Sequence, residues 1–158
     1  MAKQSIEYGR RRGCDEYVVS YPIGASEVFK KAGGAYLADD SSGWLEIATA
    51  SATNIIGHAD KFNQDFTASS TEGATVLPVD TNLQSHYELP INTGTWADTM
   101  RGKTCDLSVS SSIQGLNLSA SAVDIVEIVE KGTTNPAGTV VSAVVKVFSK
   151  NLTRNGVA

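Results

Sequence analysis

Two cysteines, two histidines, four prolines and a charged fraction of only 19% leave this 158-residue chain little material for the commonest kinds of site chemistry. Cys14 and Cys105 show no metal-ligand spacing. Cys14 follows three arginines, which would lower its pKa if they stayed close, but the simplest reading is two reduced, inert thiols. His58 and His86 belong to no HxxxH or HExxH pattern, so no metal is expected. There is no GxSxG elbow and no Cys–His motif for nucleophilic catalysis. Gly33-Gly34 lacks the lysine of a phosphate loop. These absences predict a chain with no catalytic residues and no cofactor. No run approaches the roughly 20 apolar residues of a membrane span, and the N-terminus lacks the apolar core of a signal peptide, so synthesis in a cytoplasm is expected.

Small and polar residues fill the gap: 17 Ser, 14 Thr and 14 Gly. That balance suits short strands and loops better than long helices, which use more Leu, Glu and Lys. The strongest local signal lies in the C-terminal third. Val123–Glu130 and Thr139–Phe148 are rich in β-branched residues, which fit a pleated, half-buried surface. Between them Gly132, Asn135, Pro136 and Gly138 supply turn chemistry, so this stretch predicts a hairpin that serves as core or as assembly surface. Asp124, Glu127 and Glu130 on its first strand read as outward-facing edge protection.

Upstream, Glu16–Tyr21 predicts a strand stopped by Pro22, and Ala35–Thr49 a hairpin about the turn Asp39–Gly43. Ser26–Lys31 fits a helical turn or an extended connection. Asn54–Ala59 is a brief apolar run in which Gly57 marks a bulge or a close backbone approach. Residues 62–75 read as a surface loop. Pro78 and Pro90 demote Thr75–Asp80 and His86–Ile91 to edge or bulged strands. Thr95–Gly102 is the best helix candidate, with Thr95 as cap, Trp96 and Met100 on one face and Gly102 as terminator. Thr104–Val109 alternates cleanly. No internal repeat of fixed period shows. The expected fold is mainly β: a small antiparallel barrel or sandwich over residues 16–158, with one or two short helices and an extended basic arm over residues 1–15.

Net charge is −4 and unevenly spread. Residues 1–12 carry Lys3, Arg10, Arg11 and Arg12 against Glu7, whereas the rest of the chain carries nine basic and sixteen acidic side chains. An acidic body makes nucleic acid an improbable partner, because phosphate neutralisation needs clustered Lys and Arg. The arm is the candidate partner-binding segment, and Trp44 and Trp96 are candidate interface aromatics or core residues.

The order of these elements resembles the small head decoration (cement) and minor head structural proteins of tailed bacteriophages. The resemblance is carried by SEVFKKAGGAYLADDSSGWLEIATASATNIIGHA at 26–59, TVLPVD at 75–80, Ser85-His86-Tyr87, a Trp-bearing short helix, RGKTCDLSV at 101–109 and the closing hairpin. The chain departs from compact decoration proteins in its longer polar loop at 62–75. The resemblance implies a non-enzymatic virion protein on the outer capsid surface, with the major capsid protein as partner and a homo-oligomer, commonly a trimer, as the working form. It also implies that a terminal arm bearing Lys3 and Arg10–Arg12 reaches the capsid or a neighbour. The alternative from another class is a β-sandwich fiber or host-attachment module that binds carbohydrate through Trp44 or Trp96. A third is a small nucleic-acid-binding barrel that uses the arm.

Overall fold

Alternation and turn chemistry divide the chain into thirteen strands among the residues that the structure describes. The structure, a computed structural model, describes residues 17–31, 33–39, 41–52, 54–59, 64–121 and 123–148, together with the backbone of 9–12. In chain order the strands are β1 (Gly9–Arg12), β2 (Val18–Ile23), β3 (Val28–Phe29), β4 (Ala35–Asp39), β5 (Leu45–Ile47), β6 (Ile55–Ala59) and β7 (Phe66–Thr67). They continue with β8 (Thr75–Asp80), β9 (His86–Thr93), β10 (Thr104–Ser110), β11 (Ile113–Asn117), β12 (Val126–Lys131) and β13 (Ser142–Val147).

Strands β2, β5, β4, β6 and β8 close into a barrel. The predicted hairpin is β4–β5, with Leu37 opposite Ile47 and Asp39 opposite Leu45. Its turn is held by the Asp39 carboxylate, which accepts from the Ser41 amide at 2.8 Å. Ile23, Ala35, Leu37, Leu45, Ile56, Leu77 and Val79 fill the interior, and Phe29 of the β3–β7 ribbon packs with them. β4 and β6 are buried on both faces: Leu37 and Ile56 point into this barrel, while Tyr36 and Ile55 join the other core cluster. Each such Ile or Leu contributes about 1.5–3 kcal/mol by leaving water. Gly57 is required where β6 meets β8, because a Cβ there would sit 2.2 Å from the Asp80 carbonyl oxygen. The expected close approach is therefore real.

The second sheet runs β1-β9-β11-β10-β12-β13, and β13 also pairs with β9, so its last five strands form a ring as well. Both rings are wired alike. The first strand pairs in parallel with the third, β2 with β5 and β9 with β11. The remaining pairs are antiparallel: third with second, second with fourth, fourth with fifth and fifth with first. Even the register matches, since Ile23 lies opposite Leu45 and Ile91 opposite Leu116, and each isoleucine follows a proline, Pro22 or Pro90. This duplication of topology leaves almost no periodic trace in the sequence.

The strand prolines explain one correction. Of the two expectations for His86–Ile91, edge or bulged, the edge fails: β9 is the best-connected strand, flanked by β13 on one side and by β1 and then β11 on the other. The bulged alternative fits, since Ile91 and Thr93 of β9 lie opposite the successive residues Leu116 and Asn117. Ile91 donates to the Val141 carbonyl on the β13 side, so residue 90 directs its nitrogen the opposite way, at the join between β1 and β11. A proline costs no ladder bond there. Pro78 fits its edge expectation more closely: β8 is paired along its length by β2 and met by β6 only at His58–Asp80.

Other expectations change in detail. Thr95–Gly102 forms a single 3-10 turn, Asp98–Met100, capped at Ala97 without a side-chain bond, so Thr95 is not the cap. Trp96 and Met100 do pack on the core, as their spacing suggested. Ser26–Lys31 takes the extended alternative through β3, and within 62–75 the pair Phe66–Thr67 is a strand, because Phe66 covers Phe29 with ring centroids 6.3 Å apart. The closing hairpin is core: Val126, Ile128, Ala143, Val144, Val145 and Val147 are all buried. β12 lies between β10 and β13 at Val126–Glu127, so Glu127 protects no edge, whereas Glu130 lies beyond the β10 pairing and faces only β13. Asp124 accepts from Thr104 Oγ1 at 2.6 Å.

Candidate functional site: the seam between the barrels and the β1 edge

The polar chemistry of this chain is concentrated where the two barrels meet. Gln114, on β11 of the second barrel, reaches β4 of the first. Its Oε1 accepts from the Tyr36 amide at 2.7 Å, and its Nε2 donates to the carbonyls of Tyr36 and Ala48 at 3.0 and 2.9 Å. One buried side chain thereby satisfies three backbone groups of the other barrel. The next residue, Gly115, lets β11 lie close to β9, because a Cβ there would meet Asn92 and the Pro90 carbonyl oxygen at 2.6 Å.

Beside it lies a buried ring cluster drawn from three strands. His58 of β6 stacks on Tyr87 of β9, with centroids 3.8 Å apart and planes 13° apart. Tyr36 of β4 meets both edge-on, at 4.9 and 5.6 Å. Tyr87 donates its hydroxyl to Asp80 Oδ2 at 2.6 Å, which ties the barrels again. Burial pushes the Asp80 carboxyl up, but bonds from Tyr87 and from the amides of Asn82 and Tyr17 outweigh this and leave it below the usual carboxylate range. Burial drives His58 the other way, down to about 3, and the nearby Asp80 charge offsets only part of that shift. His58 is therefore neutral at pH 7, and its Nδ1 has no hydrogen-bond partner among the described residues. Two further buried carboxylates hold strands together. Glu88 accepts from Thr133 Oγ1 and Ser142 Oγ at 2.6 and 2.5 Å, and Asp106 Oδ1 accepts from the amides of Val123 and Asp124, each at 3.0 Å.

A groove of about 360 Å³ opens along the seam, walled by Gly33 and Gly34 on one side and by Leu89, Pro90, Ile113 and Gln114 on the other. Trp44 and Trp96 do not line it and do not converge. Trp44 lies over the turn at Gly73, whose Cβ would fall 2.5 Å from its ring. Trp96 donates to Asp98 at 3.1 Å, and the Arg101 guanidinium lies 5.6 Å from its ring centre. Both indoles are half-buried.

Of the arm, Lys3 falls outside the described residues, as does Cys14. Arg10–Arg12 lie on β1, an extended segment paired antiparallel with β9, Gly9 opposite Glu88 and Arg12 opposite His86. Part of the arm is therefore a strand of the second sheet. Cys105 is buried, and desolvation followed by the Asp106 charge pushes its thiol up to about 12, which makes it unreactive. Among the described residues no group of three His, Cys, Asp or Glu could hold a metal, and no helix is long and apolar enough to cross a membrane.

Sequence reasoning passed over Gln114, Tyr36, Asp80 and Glu88. The available signal was a polar or hydroxylated residue set inside an apolar strand, as in Ala35-Tyr36-Leu37 and Ile113-Gln114-Gly115-Leu116. Comparison with family models, with curated proteins and with solved structures finds no match to this chain.

Proposed function

We propose that this chain is a non-enzymatic virion structural protein that binds the outer surface of a phage capsid and stabilises it by bridging capsid subunits, working as a homo-oligomer such as a trimer. The observation that carries the reading is the use to which its buried polar groups are put. Gln114, Asp80, Glu88 and Ser142 are committed to bonds that tie strand to strand or barrel to barrel, and Asp106 to bonds that fix the connection entering β12. Such a body resists deformation, and symmetric repetition multiplies weak contacts made through it. The basic strand β1 supports the same reading, because it sets three successive arginines on a strand beside β9 of an otherwise acidic body. Charge of opposite sign on a partner then sets approach and register. The carbohydrate-binding alternative has no corresponding observation, since the two tryptophans share no site.

The test compares particles assembled with and without the chain under heat, low salt and chelator. Particles lacking it are expected to release their contents at a lower temperature, and adding back the purified protein is expected to restore resistance. Equal resistance of both kinds of particle would remove the cement role.

A further inference from the structure

The shared wiring of the two barrels exposes a difference between them. On β9, the edge turned away from β13 has two successive neighbours: β1 beside His86–Glu88, then β11 from Ile91 onward. On β2, the edge turned away from β8 reaches its parallel partner at the equivalent residue, Ile23 opposite Leu45. Aligning Pro22-Ile23 with Pro90-Ile91 places Val18–Ser20 where His86–Glu88 stands. The second barrel has β1 there. Among the described residues, no strand occupies that position on the first barrel.

The edge is chemically ready for one. Tyr17 accepts from the Thr81 amide on the β8 side, and Gly24 donates to Leu45 on the other. Alternation then turns the N–H and C=O of Val18 and Ser20 outward from the open edge. Exposed edges are normally blunted by charge, yet Tyr17 through Gly24 contains no charged residue, and only Pro22 interrupts it. Large apolar side chains stand exposed on this ribbon: Tyr17 at 69%, Val18 at 44% and Val76 at 57%. At the Gly24 end two carboxylates gather, Glu72 accepting from the Ala25 amide and Glu46 close beside Gly24.

We propose that the Val18–Ser20 edge of β2 is a strand-addition site that receives an extended segment of the shell protein, antiparallel to β2, with a Lys or Arg on its N-terminal side near Glu46 and Glu72. The mode is the one β1 already uses on β9. Among the described residues the N-terminal strand is already paired with its own β9, so it is not the donor; the carboxylates at the Gly24 end favour a basic segment of the partner. This inference rests on the capsid-binding reading above and names how the contact is made.

The experiment adds the full-length protein to purified shells assembled without it and counts bound copies. Ser20→Pro removes an outward N–H while sparing the bonds to β8, which come from the odd-numbered residues. It is expected to lower occupancy about tenfold or more at an unchanged melting temperature. Pro22→Ala, which adds a donor to the same edge, is expected to bind at least as well as the parent. The amides of Val18 and Ser20 are expected to exchange freely in solution and to become protected on shells, a readout that stands even if Ser20→Pro fails to fold. If the parent protein does not bind shells, the capsid-binding reading fails. If it binds while Ser20→Pro binds equally and both amides stay unprotected, only the β2 site fails. If the parent self-associates and Ser20→Pro does not, a second copy fills the edge and the shell-strand proposal is overturned.

Discussion

Replacing Gln114 by leucine is expected to bring this protein close to unfolding at room temperature. Leucine is similar in size and apolar, so the space is filled, but the Tyr36 amide and the carbonyls of Tyr36 and Ala48 lose the partner that reaches them from β11. The Tyr36 carbonyl keeps one bond, from the Ala48 amide at 2.9 Å. A buried polar group left unpaired costs about 1–3 kcal/mol, so the two left unpaired, the Tyr36 amide and the Ala48 carbonyl, cost roughly 2–6 kcal/mol together. That is a large part of the about 5–15 kcal/mol by which a domain is stable. Urea unfolding of parent and Gln114→Leu measures it directly. Gln114→Glu serves as a second probe: at neutral pH its carboxylate accepts from Tyr36 but faces two carbonyl oxygens, so it is expected to be no better than leucine. A loss below about 1 kcal/mol for both variants would show that the barrels are not joined through this side chain.

Acid is expected to destabilise the fold through His58 well before the carboxylates titrate. The ring is buried and neutral, with its pKa lowered from 6.5 to about 3. A group whose folded pKa is depressed by burial of its neutral form contributes its full stability above the unfolded value. That contribution is lost as pH falls from 6.5 toward 3, because only the unfolded chain takes up the proton. The loss is about 1.4 kcal/mol per pH unit, hence roughly 3 kcal/mol between pH 7 and pH 4.5. Asp80 adds to it at lower pH, since its depressed carboxyl favours the fold above the ordinary carboxylate range. His58→Phe keeps a ring on Tyr87 and cannot titrate. The difference in slope between parent and His58→Phe, measured by urea unfolding from pH 7 to pH 4.5, isolates the histidine. Parallel slopes would place His58 in contact with water in the native state.

Much of the fold was legible because it rests on local chemistry. The β4–β5 hairpin follows from Asp39–Gly43, and the closing hairpin from its β-branched runs and the turn at Asn135–Gly138, where the Asn135 side chain accepts from the Thr139 amide. The buried state of Val126, Ile128 and Val145 resolves whether those valine-rich strands are core or surface. What the sequence hid is what depends on the second barrel. Tyr36 and Ile55 look like ordinary members of short strands, and only the seam explains why β4 and β6 are apolar on both faces. The repeat was hidden because topology constrains only a few positions, of which Pro22-Ile23 and Pro90-Ile91 are the visible pair. Pro90 misled the reading of β9 because a strand with two successive neighbours on one edge leaves a join where no amide is needed. The site residues fared similarly. The arginines marked a basic segment, but their place on β9 follows from an edge that only the folded second barrel supplies.

The central claim is that this rigid pair of barrels works on the outside of a capsid. Its most direct test is the location and copy number of the chain in purified, assembled particles, by quantitative mass analysis and by imaging of particles labelled through the chain. The account predicts a fixed ratio to the major capsid protein and density on the outer face at repeated symmetry positions. Absence from the particle, or copies confined to the tail or the interior, would contradict it.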